Sequence, residues 1–191
     1  MTPRRLTLLA AALGALALPA AAAQGKVVTK TFSSGNLSTP VETGGFVALK
    51  KNVKARGTIK DVDLSLRMSA VNSSADLGQL LTLRSPAGVL IGLSGEHTGL
   101  GYGSGAASCA GTPTVFDDSA SGGFGDPGIV SPYAMRVLPD EQLAGLNGYP
   151  AQGRWDLQIA SNYGNFGTRT VNCWSLTIKY KAAKTKKFPK K

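Results

Sequence analysis

The segment from Asp61 to Met68 constrains the fold more than any other. Val62, Leu64, Leu66 and Met68 alternate with Asp61, Asp63, Ser65 and Arg67. A period of two puts the apolar set on one face of a strand and the polar set on the other. Such a strand must cover its apolar face with a second layer. Beyond the first 23 residues, no stretch shows a long helical period. The 191 residues include 24 glycines and only 17% charged residues, which supplies turns rather than helices. The expectation is an all-β domain large enough for a real core.

Further strands follow the same pattern. Val27–Phe32 and Phe46–Val53 read as strands before it, separated by a turn-like stretch ending at Pro40. After it, Asp76 stands just before a hairpin whose arms meet at Arg84-Ser85-Pro86-Ala87-Gly88-Val89. Pro86 sets φ at the first turn corner and Gly88 accepts a positive φ. Thr114–Phe116 is a short strand inside a long glycine-rich connection, and Tyr133–Leu138 is another candidate. Trp155, Leu157 and Ile159 mark one inward face. Trp174, Leu176, Ile178 and Tyr180 mark another, with Val171, Cys173, Ser175, Thr177 and Lys179 on its outer side. About eight strands in this length predict a jelly-roll-type β-sandwich over residues 24–180, anchored by the two tryptophans.

The ends are read separately. Arg4 and Arg5 precede an apolar run from Leu6 to Leu18, Pro19 breaks it, and Ala21-Ala22-Ala23 offers a cleavage site. Residues 1–23 are therefore expected to be a signal peptide, leaving a secreted or periplasmic protein without a transmembrane anchor. The net charge of +10 is largely terminal: Lys181, Lys184, Lys186, Lys187, Lys190 and Lys191 crowd residues 181–191. That tail is expected to be disordered and solvated, and able to contact anionic surfaces. Residues 24–180 carry a net charge of only +2, and no aromatic interleaving indicates a specific nucleic-acid groove. Cys109 and Cys173, an even count in an exported chain, predict one disulfide.

Catalysis finds few supports. His97 is the only histidine, and no Gly-x-Ser-x-Gly elbow frames a serine. Glycines at 99, 101, 103 and 105 lack the Gly-Lys-Ser/Thr ending of a phosphate loop. Calcium, which takes six to eight oxygens, has four candidate ligands in Asp61, Asp76, Asp117 and Asp118. The competing reading is that Asp117-Asp118 caps a turn.

Six short motifs in order resemble the P domain (P/Homo B domain) of kexin- and furin-like proprotein convertases, closest to bacterial forms. They are Gly57-Thr58-Ile59-Lys60-Asp61-Val62, Asp76-Leu77, Leu83-Arg84-Ser85-Pro86-Ala87-Gly88, Phe116-Asp117-Asp118-Ser119-Ala120, Gly153-Arg154-Trp155-Asp156-Leu157 and Trp174-Ser175-Leu176-Thr177-Ile178. The resemblance implies a β-sandwich that sits beside a subtilisin-like protease domain and stabilises it, often with calcium. Two departures stand out. The family's histidine before the Asp-Leu pair is missing from Met68-Ser69-Ala70-Val71-Asn72, and Ala160-Ser161-Asn162 lacks an aspartate that many relatives carry. The Asp, His and Ser boxes of subtilisins are absent, so a serine-endopeptidase assignment would follow the family rather than these residues. The resulting expectation is a non-catalytic module that binds or stabilises a protein partner, such as a subtilisin-like protease in trans. The alternative is a calcium-dependent module for carbohydrate or another cell-surface component, using sandwich-end loops and Tyr102, Tyr133 or Tyr149.

Overall fold

The structure, a computed structural model, describes residues 25–70, 79–95, 97, 101–161 and 169–183. The signal-peptide reading, nearly all of the basic tail and Asp76 lie outside these residues. Among the described residues eleven strands form: β1 (Val27–Ser33), β2 (Thr39–Val41), β3 (Phe46–Val53), β4 (Gly57–Ala70), β5 (Gln79–Arg84), β6 (Leu90–Ser94), β7 (Gly101–Tyr102), β8 (Thr114–Phe116), β9 (Arg136–Val137), β10 (Gly153–Ser161) and β11 (Arg169–Ala182). A single 3-10 turn, Leu143–Leu146, is the only helical element among the described residues.

The strands build two sheets. The larger has the order β1-β11-β4-β8-β9, with β2 joined to β11 and β7 to β4. The smaller has the order β3-β10-β5-β6. The chain crosses repeatedly between them, as in a jelly roll. The long antiparallel pair β4–β11 is the spine, running from Arg169↔Ala70 to Ala182↔Gly57. Trp155 on β10 and Trp174 on β11 stand on opposite sheets, and both are buried in one core with Leu64, Leu66, Leu83 and Leu157. Trp155 Nε1 donates to Ala151 O at 3.0 Å, which satisfies its one polar atom.

Local chemistry explains most boundaries. The β5–β6 hairpin closes as its residues demand: Gly88 has φ 85° and its N–H donates to Ser85 O at 3.0 Å. Lys51 points inward on the edge strand β3, and its Nζ escapes to donate to Ser33 O. A charged side chain there discourages further strand pairing. The free edge of β6 is covered by Asp140 and Glu141: the Glu141 N–H donates to Gly92 O at 2.8 Å, and Gly92 N–H donates to Glu141 Oε2 at 2.6 Å.

Three expectations change. Val171 lies on the core side of β11, not the outer side, because a register shift between Val171 and Cys173 leaves Asn172 as an extra residue. A bulge of this kind reverses the inside-outside alternation. The Tyr133–Leu138 strand shrinks to Arg136–Val137, since Tyr133 has φ 52°, outside the extended region. Two stretches read as connections, Thr39–Val41 and Gly101–Tyr102, are short strands paired to β11 and β4.

Candidate binding surfaces

The predicted carboxylates do different jobs. Asp117 is buried and accepts from the Ser119 N–H at 2.8 Å, from the Ser119 hydroxyl and from Arg136 Nε at 2.6 Å. Burial alone would raise this carboxyl; the Ser119 amide, Arg136 and the Ser119 hydroxyl together hold it below the usual range. Asp118 caps the 3-10 turn, accepting from Leu143 N–H at 2.9 Å and Ala144 N–H at 2.6 Å. Asp61 is exposed on β4 opposite Lys179. Its neighbour Asp63, on the same polar face of β4, is pushed up to about 6, first by burial and then by the Asp117 charge. Among the described residues, no group of three or more His, Cys, Asp or Glu side chains is arranged to hold a metal ion. With a guanidinium already on Asp117 and backbone amides on Asp118, Asp61, Asp117 and Asp118 as arranged do not fit a calcium site. Arg136, which organises Asp117 and reaches Asp63 at 3.4 Å, was not identifiable in the sequence because its partners are 19 and 73 residues away.

His97 is not a loose surface residue. Its Nε2 lies 3.1 Å from Asp140 Oδ1, and its ring stacks on Phe124 with centroids 4.5 Å apart. Phe124 in turn packs on Tyr133 at 4.9 Å and on Phe116 and Tyr102. Tyr102 and Tyr133 are therefore core residues and cannot present a face to a sugar; Tyr149, at 42% exposure, is the member of that set left at the surface.

The outer face of the smaller sheet is open. Register places Phe46, Ala160 and Leu80 in one cross-strand row, with Phe46 63% and Leu80 41% exposed. Two rows away lie Lys50, Asp156, Arg84 and Leu90, with Leu90 54% exposed. Asp156 is buried, and Arg154 Nε pairs with its Oδ1 at 3.1 Å. Register sets Lys50 and Arg84 on the strands either side of Asp156, and Arg154 is the base that pairs with it among the described residues. Beside them a groove of about 470 Å³ runs between the Ser85–Gly88 turn and Gln152–Arg154. The larger sheet is different: its outer face is partly covered by the loop that the Cys109–Cys173 disulfide holds down. That disulfide is as predicted and fits an exported protein. No helix among the described residues is long and apolar enough to cross a membrane.

No protein-family model matches this chain, and no curated protein matches it. Among solved structures, it is similar to the crystal structure of a serine protease of Aeromonas sobria, with a TM-score of 0.51 and 12% identity over 81% of this chain and 27% of that one. The same protease in complex with its chaperone, ORF2, gives a TM-score of 0.49 at 12% identity, covering 84% and 28% of the two chains. A structure of FlhE gives 0.45 at 9% identity, covering 80% of this chain and 97% of that one. The last two likenesses are too distant to bear on function. What the first establishes is a shared fold: this chain is a β-sandwich spanning about a quarter of the length of the Aeromonas protease chain it matches.

Proposed function

We propose that this chain is a non-catalytic module of the P-domain kind that binds and stabilises a protein partner, and that the partner is a subtilisin-like protease met in trans. The observation that carries the reading is the bare outer face of the smaller sheet, where Phe46, Leu80 and Leu90 stand exposed beside Lys50, Arg84 and Arg154. Exposed apolar side chains interspersed with charged ones are the composition of a protein interface. The excess of base over acid calls for a partner surface with carboxylates around an apolar centre. The likeness in fold to part of a serine protease supports the same reading. The non-catalytic part rests on the sequence, in which His97 is the single histidine and no Gly-x-Ser-x-Gly elbow frames a serine.

The test is direct. The purified chain is mixed with a subtilisin-like protease secreted by the same organism, and the mixture is run by sedimentation velocity. A faster-sedimenting species is expected with the natural chain and absent with a Phe46→Glu, Leu80→Glu double variant. Lack of any complex, or one that the double variant forms equally well, removes this face from the account.

A further inference from the structure

A second feature lies on the opposite side of the molecule and does not depend on the partner. Ser33 on β1, Ser175 on β11 and Ser65 on β4 are direct cross-strand partners, so three hydroxyls form one row on the outer face of the larger sheet. Neighbours in such a row stand about 5 Å apart. In the adjoining row, Cys173 pairs with Arg67. The disulfide-held loop arches over both rows and brings Ser108 to the other side, enclosing a cleft of about 150 Å³. A cavity of that size takes up a molecule such as benzene when it is apolar. This one is lined by hydroxyls and a guanidinium. Cys109 is exposed, so the cleft reaches solvent.

Arg67 is the unusual member. It is 7% exposed, yet no carboxylate pairs with it among the described residues. Asp63, two positions away on the same face, is engaged by Arg136. Arg67 Nη2 donates to Gly105 O at 2.9 Å, and its Nε is buried without an acceptor. Gly111 crosses so close that a Cβ there would lie 3.1 Å from that Nε. Burial draws the Arg67 pKa down, as it does for a cation with no counter-charge. Buried charges are ordinarily paired, and this one lines a cleft instead.

The hydroxyls are set to donate. Ser33 Oγ accepts from Gly35 N–H at 3.0 Å and Ser108 Oγ accepts from Ala110 N–H at 3.2 Å. Each oxygen is thereby fixed while its proton stays available. Ser33 has in addition only weak contacts to the two sulfurs at 3.7 and 3.9 Å.

We propose that this cleft binds a small tetrahedral oxyanion, a phosphate or sulfate group, with Arg67 supplying the charge and Ser33, Ser65, Ser108 and Ser175 supplying hydrogen bonds. A planar carboxylate suits it less. The Nε–Nη2 edge, which grips carboxylate and phosphate alike in bidentate fashion, is turned onto the loop, so Arg67 offers charge rather than a fork and the hydroxyls decide the shape. Hydroxyls on floor and opposite wall suit oxygens that point in several directions.

The experiment measures the melting temperature of the disulfide-bonded chain against added inorganic phosphate or sulfate at constant ionic strength, with chloride and acetate as controls. A ligand bound only by the native state raises the midpoint saturably. Phosphate or sulfate is expected to do so, and chloride and acetate are not. Arg67→Met is expected to abolish the effect, and a Ser65→Ala, Ser175→Ala double variant to weaken it at least tenfold. The serine variant touches no hydrogen bond of the loop, so it decides the matter if Arg67→Met does not fold. Running glycerol 3-phosphate beside inorganic phosphate separates a free ion from a phosphate carried on a larger molecule; either one binding through Arg67 supports the site. No midpoint shift, a shift equal to that of chloride or acetate, or full binding by the serine variant overturns it.

Discussion

Arg136 donates through Nε to Asp117 Oδ2 at 2.6 Å, tying β9 to the turn that follows β8. Asp117 is buried while Arg136 is half-exposed. Replacing Arg136 with Met therefore leaves a buried carboxylate with only Ser119 to serve it. An under-satisfied buried acceptor costs about 2 kcal/mol. Urea unfolding of Arg136→Met should show a loss of that order with an unchanged m-value. A loss below a few tenths of a kcal/mol would mean that solvent replaces the guanidinium.

The pH dependence follows from the two carboxyls near Arg136. Asp63 titrates near 6 in the folded chain, above its ordinary 3.8, so the native state holds the proton more tightly. Its contribution is fully present below pH 4 and is lost as pH rises through 6. Asp117 is shifted down, so its contribution is present above pH 4 and is lost as pH falls below that. On these two groups the melting temperature should peak near pH 4. Asp63→Asn should flatten the decline between pH 4 and 7 and leave the acid limb in place. An unchanged profile would show that Asp63 is not the group responsible.

The disulfide closes a separation of 64 residues between Cys109 and Cys173. By the chain-entropy model that cross-link contributes on the order of 4 kcal/mol. A Cys109→Ser, Cys173→Ser double variant should lose stability of that order. It should also expose the 103–113 segment to limited proteolysis before the body unfolds. Uniform cleavage throughout the chain would contradict the local role.

Trp155 tests the core. It is fully buried, and its N–H bonds Ala151 O. Trp155→Ala should cost about 3–5 kcal/mol. Trp155→Phe should cost less but still leave the Ala151 carbonyl unpaired. The fluorescence of the natural chain should be blue-shifted and red-shift on unfolding. A red emission maximum in the native chain would place a tryptophan in water.

Much of the sandwich could be read directly from residues. The Phe46–Val53 strand forms with those same ends, and the Asp61–Met68 alternation sits inside β4 with its apolar side in the core. Periodicity is a local signal, and these strands obey it. Val171 broke the reading because one unpaired residue, Asn172, reverses the alternation, and bulges have no compositional mark. Tyr102 and Tyr133 looked available because a glycine-rich loop carries no period to say which side chains turn inward. Arg67 and Arg136 went unnoticed for another reason: both act through partners set by tertiary contact. The serine row was equally hidden, since Ser33, Ser65 and Ser175 meet only through register.

The central claim is that the exposed face of the smaller sheet holds a protease partner. It is tested most directly by the half-life of a subtilisin-like protease from the same organism at a temperature where it loses activity within minutes. Adding the natural chain in equimolar amount should lengthen that half-life several-fold, and adding the Phe46→Glu, Leu80→Glu variant should not. A half-life unaffected by the natural chain, or extended equally by both, would contradict the account.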